Sequence, residues 1–237
     1  MSELVWILLV VVVIVLIYII YLYMTKKNVV LASTVYLNDK TAKTIENDKI
    51  PSPKSANFAL GFWLYVNSWN TNGIKKVFSY SYGTNGEFPL SVSFDTTKPI
   101  LYAEFLTGCS NVKDTEKIVI TNNFPLQKWV YVIISANGNY IDCYLDGKII
   151  TSYQIKNQSL YVTCIPDPKL LSIAMGTGFD AYIYNFQRYT QEMTPTNAMS
   201  TYYSTAPAQK DSGFLAGYGM TIQVTKDGAV DKSLPVF

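Results

Sequence analysis

Two groups of side chains have the types and spacing that recognise a ligand. Trp69 stands beside Asn67, Asn70 and Asn72, and Tyr80 and Tyr82 precede Asn85. Aromatic rings stack on the apolar faces of sugars while neighbouring amides bond the hydroxyls; buried in a β-rich domain, the same rings are packing residues. Catalytic chemistry is far more restricted. The chain contains no histidine, which removes Ser-His and Cys-His nucleophile pairs, histidine zinc sites and an imidazole pH switch. Cys109, Cys143 and Cys164 are far apart, with no Cys-x-x-Cys. They make no structural zinc site and leave either three reduced thiols or one pair and one spare. Neither G-x-G-x-x-G nor G-x-x-x-x-G-K occurs, which argues against a nucleotide enzyme. With 19 basic against 17 acidic residues and no basic block, nucleic acid is not an expected partner, because phosphate binding needs clustered Lys and Arg.

The elements that position these residues begin with an uncharged run. Leu4 to Met24 carries no charge, no Gly and no Pro, and a helix of that length rises about 30 Å, enough for the hydrocarbon core of a bilayer. Trp6 lies near one end; Tyr18, Tyr21 and Tyr23 lie near the other, followed by Lys26 and Lys27, the pattern of an interfacial belt. A cleaved signal peptide would need a basic start, a shorter apolar run and a small-residue cleavage site, and none is present. Residues 1–27 are therefore predicted to be a transmembrane anchor. Lys26, Lys27, Lys40 and Lys43 follow the helix whereas only Glu3 precedes it, which predicts a single-pass protein with its carboxyl-terminal domain on the cytosolic side. The sequon Asn157-Gln158-Ser159 points the other way, since glycosylation requires a lumenal or extracellular domain.

Residues 28–56 are predicted to be a spacer with a possible first strand at Val29 to Leu37 and turns around Pro51, Pro53 and Ser55. In the body, residues 57–205, Phe58, Leu60, Phe62, Leu64 and Val66 alternate with Ala59, Gly61, Trp63 and Tyr65. That period of two places one row against a core, and the aromatics of the other row predict cover on both faces. Further strands are predicted at Lys76 to Tyr82, Pro89 to Phe94, Ile100 to Leu106, Lys117 to Thr121, Trp129 to Ala136, Tyr140 to Leu145, Lys148 to Ile155, Leu170 to Met175 and Ala181 to Tyr189. Asn137-Gly138-Asn139 and Asp146-Gly147 supply the positive φ of tight hairpins, so three of these strands form a meander. One short helix is expected within Glu192 to Tyr203. Residues 206–237 read as an extension with a strand at Thr221 to Thr225, a Lys226-Asp227-Gly228 turn and an apolar finish, a hairpin offered to a partner. The fold class is all-β, an antiparallel sandwich or barrel by pattern.

Particular stretches resemble a known superfamily. Trp129 to Ile134, Asn137-Gly138-Asn139 and Cys143-Tyr144-Leu145-Asp146-Gly147-Lys148 are similar to the central meander of laminin-G-like and pentraxin-like domains of the concanavalin A-like lectin and glucanase superfamily. Phe58 to Leu64 resembles the early core strand of that family, and Leu171 to Gly176 with Phe179 to Phe186 its closing strands. The resemblance implies a jelly-roll β-sandwich of two curved antiparallel sheets. It also implies calcium as a candidate ligand, through Asp95, Asp146 and Asp180 at strand ends, although calcium wants six to eight oxygens and no acidic loop cluster is present. Glycoside hydrolases of the superfamily place paired carboxylates on alternate residues of one strand; Glu87, Glu104, Glu116 and Glu192 stand singly, and Asp142 and Asp146 flank a turn without a partner glutamate. No catalytic residue is assigned, and Asp146 is read as a turn former.

An anchor feeding such a body resembles, in architecture, the membrane proteins of large icosahedral DNA viruses. The function expected on that basis is a non-enzymatic, membrane-anchored structural or interaction protein linking an internal membrane to a capsid shell, with the bilayer and capsid proteins as partners. The alternatives are a membrane-tethered lectin-like module that binds glycan and a degenerate glycoside hydrolase.

Overall fold

The computed structural model describes residues 9–18, 28–70, 73, 75–83, 87–109, 113–156 and 159–207, together with the backbone of two later strands, Thr221–Lys226 and Ala229–Pro235. The chain divides into two compact units, Met1–Ala206 and Pro207–Phe237. Within the second unit the described backbone is an antiparallel hairpin, β13 (Thr221–Lys226) with β14 (Ala229–Pro235).

The first unit carries two six-stranded sheets. Sheet one runs β1 (Asn28–Tyr36), β12 (Ala181–Tyr189), β3 (Asn57–Val66), β8 (Trp129–Asn137), β9 (Tyr140–Leu145) and β10 (Lys148–Gln154). Sheet two runs β2 (Thr44–Ile45), β11 (Leu171–Met175), β4 (Lys75–Tyr82), β5 (Leu90–Phe94), β6 (Leu101–Thr107) and β7 (Asp114–Thr121). Neighbouring strands pair antiparallel throughout.

Period-two patterning decides which side chains meet between the sheets. Phe58, Leu60, Phe62, Leu64 and Val66 of β3 all point into the core. Phe62 and Phe186 from sheet one meet Phe78 from sheet two with centroids 5.5 and 5.0 Å from it, in edge-to-face geometry, the arrangement that the ring quadrupole favours. The expected meander is present: Gly138 takes φ +59°, and Asp146 and Gly147 take φ +48° and +78°, the paired left-handed conformations of a type I′ hairpin turn.

Several elements differ from the sequence reading. The segment read as a spacer contributes a second short strand, β2, to the edge of sheet two. Strand β7 starts at Asp114 rather than Lys117 because pairing with β6 carries the ladder to Thr107, overriding the weak strand preference of Asp and Glu. Helix α2 (Pro195–Thr205) starts later than Glu192, since the Thr194 hydroxyl caps it by accepting a bond from Asn197 N at 3.3 Å and Pro195 occupies the first turn, both N-terminal signals. The cysteines resolve as one pair and one spare: Cys109 and Cys164 form a disulfide with Cα atoms 5.3 Å apart, and Cys143 is free and buried.

Of the proposed anchor, residues 9–18 are described and form helix α1, whose side chains from Leu9 to Tyr18 are all exposed. Trp6, Tyr21, Tyr23, Lys26 and Lys27 lie outside the described residues. Among the described residues no helix is long and apolar enough to cross a membrane.

Candidate functional site

The outer face of sheet one carries an aromatic row. Tyr36 pairs with Tyr182 across β1 and β12, Tyr182 with Tyr65 across β12 and β3, and Tyr65 with Trp129 across β3 and β8. Tyr36 and Tyr182 stack at 4.5 Å with planes 20° apart; Tyr182 and Tyr65 lie 6.5 Å apart, Tyr65 and Trp129 5.3 Å. Tyr184, one row further along, meets Trp129 at 6.1 Å. All five rings are half-buried. At the strand spacing of a sheet the row extends about 14 Å.

Three strands build it with the same local pattern. Trp63-Leu64-Tyr65, Trp129-Val130-Tyr131 and Tyr182-Ile183-Tyr184 each place two aromatics outward around one core aliphatic, and Leu64, Val130 and Ile183 are at most 1 % exposed. Alternation along a strand forces this division.

Helix α2 closes the next stretch of the same face. Tyr202 stacks on Trp63 at 5.4 Å, the Trp63 indole donates to Thr205 Oγ1 at 3.1 Å, and Ala198 is fully buried. The Tyr144 hydroxyl donates to the Met193 carbonyl at 2.8 Å, and Met193 N donates to Ser135 Oγ at 2.8 Å, which ties the turn before α2 to the sheet. The cover predicted over β3 is therefore supplied by α2 at Trp63, while Tyr65 retains an accessible face.

A polar rim borders the row. The Asp180 carboxylate accepts from Ser68 Oγ at 2.6 Å, Asn67 Nδ2 at 2.9 Å and Tyr36 Oη at 3.2 Å. The Ser68 bond, then the Asn67 bond, hold this carboxyl below the ordinary aspartate range. Desolvation, reinforced by the neighbouring Tyr36, pushes the Tyr182 phenol up. Asn38 Nδ2 donates to Tyr36 Oη at 3.3 Å, and Lys128 lies 3.7 Å from Asp146. Anchored rings beside amides, a hydroxyl and a carboxylate give this face an apolar floor with a polar edge.

The residues predicted from sequence are distributed differently. Tyr80 is fully buried, accepting from Arg188 Nη1 at 2.8 Å, so it presents no face to a ligand. Tyr82 is half-buried against Tyr161, with centroids 6.4 Å apart. Trp69 meets Phe94 and Phe179 edge-on at 5.5 and 6.1 Å, with Lys75 Nζ 4.7 Å from its ring centroid, so its ring serves packing. Asn85 lies outside the described residues, as do Asn72 and Asn157. Asn67, named as a companion of Trp69, instead binds the rim carboxylate of Asp180.

The three aspartates considered for calcium are each engaged locally. Asp95 caps its own turn, accepting from Thr97 N at 2.9 Å, Thr97 Oγ1 at 2.8 Å and Lys98 N at 3.2 Å. Asp146 accepts from Tyr131 N at 2.9 Å, and Asp180 holds the rim. Among the described residues no three metal-binding side chains converge. The single glutamates are likewise occupied: Glu87 pairs with Lys113 and accepts from Tyr161 Oη at 2.6 Å, Glu104 accepts from Ser91 Oγ at 3.3 Å, and Glu116 accepts from Tyr153 Oη at 2.7 Å.

The aromatic row was legible in part, because three aromatic-x-aromatic triplets on strands signal a second apolar face. What the triplets do not disclose is that β1, β12, β3 and β8 lie side by side in that order.

No protein-family model matches the chain. Solved structures similar to it include the binding domain of botulinum neurotoxin DC in complex with rat synaptotagmin II, at 16 % identity and TM-score 0.53, with 73 % of this chain and 43 % of that one covered. The botulinum neurotoxin serotype G binding domain matches at 15 % identity and TM-score 0.51, over 82 % of this chain and 50 % of that one. A botulinum neurotoxin type C structure matches at 13 % identity and TM-score 0.50, over 74 % and 47 %. The chain thus spans half or less of the structures it matches, and at these identities the likeness is one of fold: a two-sheet β-sandwich of the kind found in botulinum neurotoxin binding domains.

Proposed function

We propose that the protein is a non-enzymatic, membrane-tethered binding module whose ligand is a glycan lying across the aromatic row of sheet one, in a laminin-G-like sandwich. The observation that carries this reading is the ring succession Tyr36, Tyr182, Tyr65 and Trp129, half-exposed and bordered by the Asp180, Asn67 and Ser68 cluster. Stacking platforms of this kind present apolar faces and leave orientation to a few polar groups. Proteins of similar fold support a binding role: the botulinum neurotoxin DC domain is solved with rat synaptotagmin II, and cell entry of botulinum neurotoxin type C is dependent upon interaction with two ganglioside molecules.

The tether is the run that contains α1. Its described side chains are 43 to 61 % exposed and apolar on every side, a distribution that calls for lipid or a partner around it. A Cys109–Cys164 bridge suits an oxidising compartment, and with the Asn157 sequon it outweighs the lysine bias, so the reading places the domain on the extracellular or lumenal side.

Titration of the full chain, in detergent, with neutral oligosaccharides on a glycan array tests the site. Trp129→Ala and Tyr182→Ala are each expected to weaken binding about tenfold, roughly 1.4 kcal/mol, with little change in melting temperature. Undiminished binding in both variants would overturn the assignment. Protease protection in sealed vesicles checks the orientation.

A further inference from the structure

The outer face of sheet two holds a second, chemically distinct feature. A cavity of about 390 Å³ opens there, lined by Lys76, Ser79 and Ser81 of β4, Phe88, and the Ala174 to Thr177 stretch at the end of β11. Its size lies within the range of small-molecule sites. The floor is built from cross-strand pairs, with Ala174 opposite Ser79 and Ser172 opposite Ser81.

Backbone packing sets one wall. Gly176 N donates to the Val77 carbonyl at 2.9 Å, and a Cβ at Gly176 would fall 1.7 Å from the Lys76 carbonyl oxygen. Only glycine permits that approach, which brings the loop after β11 down onto β4. A register shift between Lys76 and Phe78 in the pairing with β5 turns Val77 and Phe78 both inward and leaves Lys76 outward.

The polar groups that line the cavity are not consumed by the protein. Ser79 lines the cavity and is 2 % exposed, and its hydroxyl makes no hydrogen bond among the described residues. A hydroxyl not engaged by the protein is available to donate to a ligand or to water. Lys76 is the single charged group of the lining and makes no ion pair among the described residues. Its ammonium sits 4.4 Å from the centroid of Phe88, a ring 41 % exposed.

We propose that this cavity binds a small polyhydroxylated carboxylate, an acidic sugar, with its carboxylate on Lys76, its hydroxyls on Ser79 and Ser81, and its apolar ring face against Phe88. An unpaired cation selects for the anion, the serines for hydroxyls and the exposed ring for a cyclic body. The site stands on the sheet opposite the aromatic row and does not depend on that row binding glycan.

Isothermal titration of the full chain in detergent with glucuronate and, separately, with glucose provides the test, since the two differ by one carboxylate. Glucuronate is expected to bind at least about tenfold more tightly. Lys76→Gln is expected to abolish that preference at unchanged melting temperature, Ser79→Ala to weaken glucuronate severalfold, and Trp129→Ala to leave it unaffected. Equimolar acetate is expected not to displace glucuronate. Absence of glucuronate binding, no preference over glucose, persistence of the preference in Lys76→Gln, loss in Trp129→Ala, or full displacement by acetate would each overturn the proposal.

Discussion

Arg188 is the largest fully buried side chain among the described residues, and it makes no ion pair there. Its guanidinium donates through Nε to the Pro51 carbonyl at 2.8 Å, through Nη1 to Tyr80 Oη at 2.8 Å and through Nη2 to the Ser52 carbonyl at 2.9 Å, and its Cζ lies 4.4 Å from the Phe58 ring centroid. The planar, rigid fork spreads its donors over three separated acceptors, a span that a compact ammonium does not match. Arg188→Lys is therefore expected to lower stability by about 2 kcal/mol, because the buried Tyr80 hydroxyl loses its donor while the Pro51 and Ser52 carbonyls lie nearer solvent; urea denaturation measures it, and an unchanged midpoint would refute the clamp. The same contact explains why Tyr80 presents no ring face to solvent. Strand β4 reads Phe78-Ser79-Tyr80-Ser81-Tyr82, and that alternation identifies an aromatic face and a serine face without saying which one meets the second sheet. Burial against Arg188 of β12 decides it.

At the scale of elements, two glycines with the same turn duty separate local strain from packing. Gly138 takes φ +59° with open space around its Cα, whereas Gly147 takes φ +78° and a Cβ there would meet Met199 Cα of α2 at 3.0 Å. Gly138→Ala should cost about 1 to 2 kcal/mol, the left-handed penalty alone. Gly147→Ala adds a displacement of α2 and should cost more, and it should also raise the exposure of Trp63, read as a red shift of tryptophan emission. Equal costs with no shift would mean that α2 does not rest on the hairpin. The meander itself was legible, since the Asn-Gly-Asn and Asp-Gly turns sit between alternating strands. The seating of α2 was not, because Pro195 to Thr205 is weakly amphipathic and its position follows from the aromatic surface that it covers.

For the whole molecule, the consequence of composition is a pH profile. With no histidine, no side chain with an ordinary pKa titrates between about pH 5 and 8, and stability should be nearly flat there. Burial raises the phenols of Tyr80, Tyr131 and Tyr189, and pushes the Cys143 thiol up to about 12. The folded chain then retains protons that the unfolded chain releases from about pH 9 upward. Stability is fully present below that point and falls as pH rises through it. On the acid side, hydrogen bonds hold Asp180, Asp95 and Glu87 low, so their contribution is lost as pH falls through those depressed values. Melting temperature measured across the pH range checks both limbs, and a step near pH 6.5 would contradict the reading.

What the sequence determined by itself is the alphabet of this protein: an all-β body with its hairpins, the absence of imidazole chemistry, and an apolar run at the amino end. Those follow from local periodicity and from residue types, which need no partner to be read. The tertiary structure decided the pairing of Cys109 with Cys164, the burial of Tyr80, the packing of Trp69 against Phe94 and Phe179, the spending of Asp95, Asp146 and Asp180 on local donors, and the assembly of Tyr36, Tyr182, Tyr65 and Trp129 into one row. Each of these depends on which strands lie side by side. Strand order is set by burial summed over both sheets, and residues 36 and 182 become neighbours only when that sum is complete.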